Sequence, residues 1–483
     1  MKEKRNNKKK SKNEEKNPGE KILRRIIGAR AVAACLMGCL MGCMILGLAG
    51  CGSGEIGASS GKPGNSVELT AAAEGVPGLE AESQAYCFVG EEDCLTDLSL
   101  ELFQRICSGE ENALVSPLSL VTDLTMLGRG AKGKTRAQME QGLGRDVDFL
   151  TAYLQYYFGG LPQTEKAKLT SANSVWIRED AERLAMEKQF LVDARAYFDA
   201  EVYRAAFDRG TVADMNRWCS EKTDGMVEDM IRQLPEDEVI HLLNAICFDA
   251  AWQEPYEKYQ VRKDVFTSET GVQKNVDFMY STESVYLEGD YETGFVKPYQ
   301  DGYSFVALLP KEDLDAGSQT DSQAGQGMSM AEYVQTLTGE RFRGLLDAAF
   351  SSASEASEAS EVLVETAMPM FQMEYTAGKE KLIPVLESMG MTDLFDSGRA
   401  DLSGMAVSSR GNIYVSSVAQ KCFIEVDAEG TRAAAVTDIT VSDECAPEFE
   451  EMKTVRLDRP FVFAIVDDRC GVPVFLGVVT EVE

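Results

Sequence analysis

The chain has 483 residues and a formal net charge of −31. Its first 50 residues carry 12 of the 48 Lys and Arg but 4 of the 79 Asp and Glu, so the remainder sets 36 basic against 75 acidic residues, a balance of −39. Such a balance excludes a nucleic-acid partner recruited through a basic face, while the length admits two or three average domains or one large domain with tails.

Residues 1–30 are rich in Lys and Arg, Ala31 to Leu48 is an uncharged apolar run, and Leu48-Ala49-Gly50-Cys51 follows at once. Basic, apolar, then small is the order of a secretory signal. The box before Cys51 resembles a bacterial lipoprotein cleavage site, which implies residues 1–50 as a signal peptide and Cys51 as a lipidated first residue. A transmembrane anchor is the rival, because 18 apolar residues are just long enough to span a bilayer. Either reading exports the protein and holds it at a membrane surface, outside the cell.

Residues 51–90 read as a flexible tether, rich in Gly, Ser, Ala, Glu and Pro with little periodicity. Of the 12 cysteines, Cys35, Cys39, Cys43 and Cys51 lie in or at the end of the leader. The others are scattered without CxxC spacing, which implies neither a zinc site nor a dense disulfide framework; a Cys87–Cys94 pair stays open.

The globular part is expected over 91–483. Leu98, Leu100, Leu102, Phe103 and Ile106 mark a helical stripe, and Ser116-Pro117 opens a second helix that continues through Leu120, Leu124, Met126 and Leu127. A strand is expected over Leu169–Ile177, with helices over 186–200 and 211–222. Val239–Phe248 is near-continuously apolar, as a central strand should be, and Asn244 there shares a face with Ile240 and Leu242, where it must find partners. The low-complexity stretches 315–330 and 351–361 lack the apolar residues needed to pack and read as solvated surface loops. Val362–Tyr375 reads as one strand and Leu382–Met389 as a helix.

Residues 424–445 change character halfway. Ile424 and Val426 alternate with Glu425 and Asp427 as a half-buried strand does, until Glu429-Gly430-Thr431 interrupts with a permissive backbone. From there Thr431, Ala433, Ala435, Thr437, Ile439 and Val441 take one face at period two, with Arg432, Asp438 and Thr440 on the other. Ala433-Ala434-Ala435 has poor β propensity. A segment patterned for a strand but weakly committed to one is able to exist in two states.

The string from Glu429 to Ala435, with Arg459-Pro460-Phe461-Val462-Phe463-Ala464-Ile465 after it, resembles the hinge and C-terminal strands of the serpins. Asn112 to Ser119, Asn216 to Gly225, Asn244, Trp252 and Asp401-Leu402-Ser403-Gly404 resemble further motifs of that family, in the family's order, so the resemblance covers about 97–483. It implies an α+β serpin fold with three β-sheets, about eight or nine helices and a reactive loop at about 429–455 that acts as protease bait. It implies Ser116, Pro117, Ser119 and Asn244 as the shutter beneath the middle of the main sheet, and Trp252 under its upper end.

Two positions depart from the family pattern. Gln420 stands where many members have a shutter histidine and is expected to bond to Asn244 and Ser116; Ala428 stands where an acidic residue is usual. The implied activity is irreversible suicide inhibition of serine or cysteine proteases by cleavage and insertion of the loop. Counting by the family's usual spacing from Gly430 puts the bait bond between Glu444 and Cys445, which would direct the inhibitor to Glu- or Asp-preferring proteases. The segment is longer than in many members, so Cys445-Ala446 and Met452-Lys453 stay open.

An enzyme would need other parts. A Ser-His-Asp or Cys-His site would have to use His241, the single histidine, and no GxSxG, HExxH, Walker or Rossmann motif accompanies it. With 79 acidic residues, chance carboxylate pairs carry no information. The expectation is a monomeric inhibitor without catalytic residues, metal or cofactor, whose partners are a protease and a membrane. The alternative is a non-inhibitory serpin acting as a surface binding or adhesion module.

Overall fold

The structure, a computed structural model, describes residues 66–70 and 91–482 apart from 162–163, 165, 180–183, 228–229, 236–237, 313–327, 356–361, 410 and 432–451. Among the described residues there are nine α-helices and three larger β-sheets, with a two-stranded ribbon, Leu184–Met186 with Ala406–Ser408, beside them.

The main sheet runs in the order Val67–Glu68, Glu201–Ala205, Ala167–Arg178, Ile240–Ala251, Gly430–Thr431, Gln420–Val426, Phe371–Ala377. Its centre is Ile240–Ala251, in which every residue but one is buried, the composition of a strand covered on both faces. On one face Ile240, Leu242, Ile246 and Phe248 join the principal core with Leu118 and Val121 of the Pro117–Gly130 helix. On the other, Leu243 and Ala245 pack with Trp176 against Met215, Trp218 and Cys219 of the Arg209–Lys222 helix. That helix begins at a reciprocal cap between Asp208 and Thr211 and is clamped to the Glu201–Ala205 strand by Glu201, which accepts from Trp218 Nε1 at 2.6 Å and pairs with Lys222 at 2.6 Å.

The second sheet is ordered Ala113–Val115, Val472–Val479, Phe461–Asp467, Tyr303–Pro310, Glu292–Pro298, Val285–Glu288; the third, Met452–Arg456, Leu363–Pro369, Gln273–Glu283, Val261–Thr267. Thr431 lies in the main sheet and Met452 in the third, so the residues that flank 432–451 sit in different sheets.

Several elements differ from the sequence reading. Val362–Tyr375 is not one strand but two, Leu363–Pro369 in the third sheet and Phe371–Ala377 in the main sheet. Pro369, with no N–H to give a ladder, is the last residue of the first; the Met370 N–H still donates at 2.8 Å to the carbonyl of Asp277, the next residue along the partner strand Gln273–Glu283, before the chain crosses to the main sheet. Residues 351–355 of the second low-complexity stretch are not loop; they end the helix Gly339–Glu355. Residues 66–70, read as tether, contribute a strand to the main sheet. Cys94 is a free thiol, and Cys87 lies outside the described residues.

Candidate functional site: the hinge and the two central strands

Glu429-Gly430-Thr431 turns back on the strand it follows. Asp427 closes the turn, with its Oδ1 accepting from Glu429 N–H at 2.8 Å and Gly430 N–H at 3.1 Å, and its own N–H donating to Gly430 O at 2.9 Å. The chain then wedges between the central strands: Thr431 opposes Val426 on one side and Ala250 on the other, and Gly430 opposes Ala251, all antiparallel. Gly430 is required by this approach, because a Cβ there would overlap the Ala250 carbonyl oxygen and come within 2.8 Å of Ala251 Cα.

Thr431 is fully buried. Its hydroxyl shares a hydrogen bond of 2.5 Å with Tyr299 Oη, and the Tyr299 ring stacks on Trp252 with centroids 4.2 Å apart. Trp252 binds the hinge directly: its backbone N–H donates to Glu429 O at 3.0 Å and its Nε1 to Asp427 O at 2.8 Å. Ala428 lies against the core, and its carbonyl accepts from the Tyr256 N–H at 2.8 Å. Beneath this group Lys297, 2 % exposed, pairs with the buried Glu283 at 2.9 Å while its ammonium sits 4.3 Å from the centre of the Tyr256 ring. Tyr299 and Lys297 carry no signal of this role in the sequence.

Below the hinge the same two strands meet each other. Gln420, Lys421 and Cys422 pair in parallel with Asn244, Ala245 and Ile246. The main sheet is therefore closed in its middle and wedged open at its top, with one short parallel ladder at the junction.

Polar side chains fasten that junction to the core. Asn244 Oδ1 accepts from the Ser119 hydroxyl, and its Nδ2 donates to Asn173 Oδ1 at 2.7 Å; Asn173 in turn donates to Phe198 O at 3.1 Å. Gln420 makes a two-point bond to one residue, accepting from Ser116 N–H at 3.1 Å and donating to Ser116 O at 2.8 Å. All of these side chains are buried and satisfied, as groups withdrawn from water must be.

The expectation for Gln420 is thus half met. It binds Ser116, but Asn244, although directly opposite in register, uses Ser119 and Asn173 instead. Ser116 and Pro117 do start a helix; the Ser116 hydroxyl, however, donates to Val474 O at 2.8 Å and does not cap it. Asn173 was missed, and only its register opposite Asn244 reveals it.

His241 lies on the other face from Asn244, opposite Trp176, with Nδ1 2.9 Å from Glu238 Oε1. Its Nε2 has no partner among the described residues, so no nucleophile is bonded to it there. Among the described residues no group of three or more His, Cys, Asp or Glu could hold a metal ion. Ala433, Ala434, Ala435, Thr437, Glu444, Cys445 and Cys51 lie outside the described residues.

Comparison with known proteins gives a uniform result. The family model described as Serpin (serine protease inhibitor) matches residues 93–482. Serpin B8 of Homo sapiens is 28% identical over 403 residues, 78% of this chain and 96% of its own length. Iripin-2 of Ixodes ricinus is 29% identical over 82% of this chain and 95% of its own. Among solved structures, the thermophilic serpin tengpin in its native state superposes with a TM-score of 0.71 at 39% identity, covering 81% of this chain and 94% of that one. The same protein in its latent state gives 0.66 at 37%, covering 81% and 98%.

Proposed function

Since the chain belongs to the serpin family, we propose that it is an irreversible inhibitor of serine or cysteine proteases, sprung by cleavage of the loop that begins at Thr431. The observation that carries this reading is the wedge: Gly430 and Thr431 are already a strand between Ile240–Ala251 and Gln420–Val426, while three residues of parallel ladder below them have still to part.

Continuing the antiparallel register of Thr431 with Ala250 sets Ala433 opposite Phe248, Ala435 opposite Ile246 and Thr437 opposite Asn244. These loop residues share the parity of the buried Thr431 and would face the core, and each is small. Arg432 falls on the other face. Insertion replaces one short parallel ladder by two antiparallel ones, each added hydrogen bond contributing about 1 kcal/mol net.

In this mechanism the protease's nucleophile attacks the Glu444 carbonyl carbon, the bond to the Cys445 nitrogen breaks, and the new amine takes up a proton. The freed loop then enters the sheet with the acyl-enzyme attached at Glu444. Burial of small inward residues demands no desolvation of charge, so entry competes with hydrolysis of the acyl bond. An acidic residue before the bond selects Glu- or Asp-preferring proteases.

The test is a denaturing gel with mass spectrometry after mixing residues 51–483 with a Glu-specific serine protease and a panel of others. A covalent complex and a released peptide beginning at Cys445 are expected. Clean cleavage with the protease still active would remove the inhibitor reading in favour of a surface binding module. Lipidation at Cys51 is proposed with it, supported by the leader pattern, and is tested by the mass of the N-terminal peptide from the exported chain.

A further inference from the structure

Residues 66–70 enter the main sheet at one end. Val67 opposes Arg204, Arg204 opposes Ile177 and Ile177 opposes Ile240, one row across four strands. The hinge lies in another row, that of Ala250 and Ala167. Ten residues separate Ala167 from Ile177 along one strand, a height of about 33 Å.

The segment is well fastened for its length. Leu69 N–H donates to Val202 O at 2.6 Å, Val202 N–H to Thr70 Oγ1 at 3.1 Å, and the Ser66 hydroxyl to Asp214 Oδ2 of the covering helix at 2.6 Å. Because Val67–Glu68 runs antiparallel to Glu201–Ala205, Ser66 is its outermost residue, and the chain before it departs from the pole opposite the hinge.

Chain length turns this into an orientation. Fifteen residues separate Cys51 from Ser66, at most about 54 Å when fully extended and about 21 Å root-mean-square for a Gly- and Ser-rich coil. A leash running to Glu91 would have 40 residues and an average span of about 35 Å, as long as the sheet is high, and would leave either pole free to face the bilayer. The shorter leash, whose average span falls short of that height, favours the Ser66 pole and reaches past the hinge only when drawn out near full extension.

We propose that the membrane-held chain stands with its Ser66 pole against the lipid bilayer and its hinge and reactive loop facing away. This rests on the reading of Cys51 as the anchor. The register gives it a consequence for the inhibitor reading: Val441 would arrive opposite Ile240, in the row of Val67, so insertion carries a protease bonded at Glu444 to the bilayer side of the molecule.

The experiment uses residues 51–483 with a dipalmitoyl anchor attached chemically at the N-terminus, on phosphatidylcholine vesicles carrying an energy acceptor at the headgroups. A fluorescent amino acid replaces either exposed Arg209, next to the Ser66 pole, or exposed Lys166, next to the hinge. Transfer from position 209 is expected to exceed that from 166 several-fold; equal or reversed transfer overturns the proposal. Inserting 25 Gly and Ser residues between Asn65 and Ser66 leaves the fold untouched and should bring the ratio toward one; an unchanged ratio overturns the leash as its cause. As the anchor is added chemically, an unmodified Cys51 in the exported chain would refute the lipoprotein reading and leave the orientation result intact.

Discussion

The hydroxyls of Tyr299 and Thr431 lie 2.5 Å apart in a fully buried position, joining the chain after Glu292–Pro298 to the first inserted residue of the loop. Burial holds the Tyr299 phenol well above its ordinary range, so it remains a neutral donor and acceptor at every working pH.

Tyr299→Phe removes that bond and orphans the Thr431 hydroxyl, a loss of about 1–3 kcal/mol from the native hinge. The uncleaved chain should pass to the loop-inserted form roughly tenfold faster on mild heating. The time course of the two bands on a native gel measures this, and an unchanged half-life would show that the pair does not hold the hinge.

Asn244→Ala leaves Ser119 and Asn173 without their common partner inside the core. A loss of about 1–3 kcal/mol in unfolding free energy is expected, read from the shift of the denaturation midpoint. Because Asn173 is bonded to Asn244, the double variant with Asn173→Ala should cost clearly less than the two single losses together. Strict additivity would refute the network.

Gln420→His tests the two-point bond to Ser116. A neutral imidazole accepts from Ser116 N–H; the protonated ring has no acceptor to offer, so the folded protein disfavours protonation and depresses the pKa below the usual ~6.5. The contribution of such a group is present above its unfolded pKa and lost as pH falls through the folded one. The variant should be more stable at pH 8 than at pH 5 relative to the parent chain. Identical stability profiles for the two would sink the idea.

Cys247 and Cys422 sit on the two strands that part in the proposed mechanism, 3% and 0% exposed. Burial pushes their thiols up to about 11 and about 12. Neither is a thiolate near pH 8, and a disulfide reagent should modify them only when the strands separate. Peptide mapping over hours measures the rate, and labelling as fast as a free exposed thiol would contradict the closed sheet.

The elements most legible in the sequence were those whose own residues carry the pattern. Ile240–Ala251 is apolar on both faces, Ser116-Pro117 is a helix start, and the alternation from Ile424 to Asp427 is a strand before it is anything else. What could not be read depends on partners distant in the chain. Tyr299 meets Thr431 across 132 positions, and Asn173 meets Asn244 across 71. Val67–Glu68 is too short to show a period and is a strand only because Glu201–Ala205 offers it an edge. The break at Pro369 was written in the sequence, as a residue unable to donate to a ladder, and was overridden by the apolar run around it.

The three-residue parallel ladder at Gln420–Cys422 makes the middle of the main sheet its softest seam. In the proposed insertion mechanism the more stable arrangement lies beyond that seam, and the uncleaved fold would persist by the height of a barrier and not by the depth of its well. Its endurance is therefore a waiting time: a melting temperature recorded on it should rise with the heating rate, and two laboratories scanning at different speeds would obtain different values from the same protein.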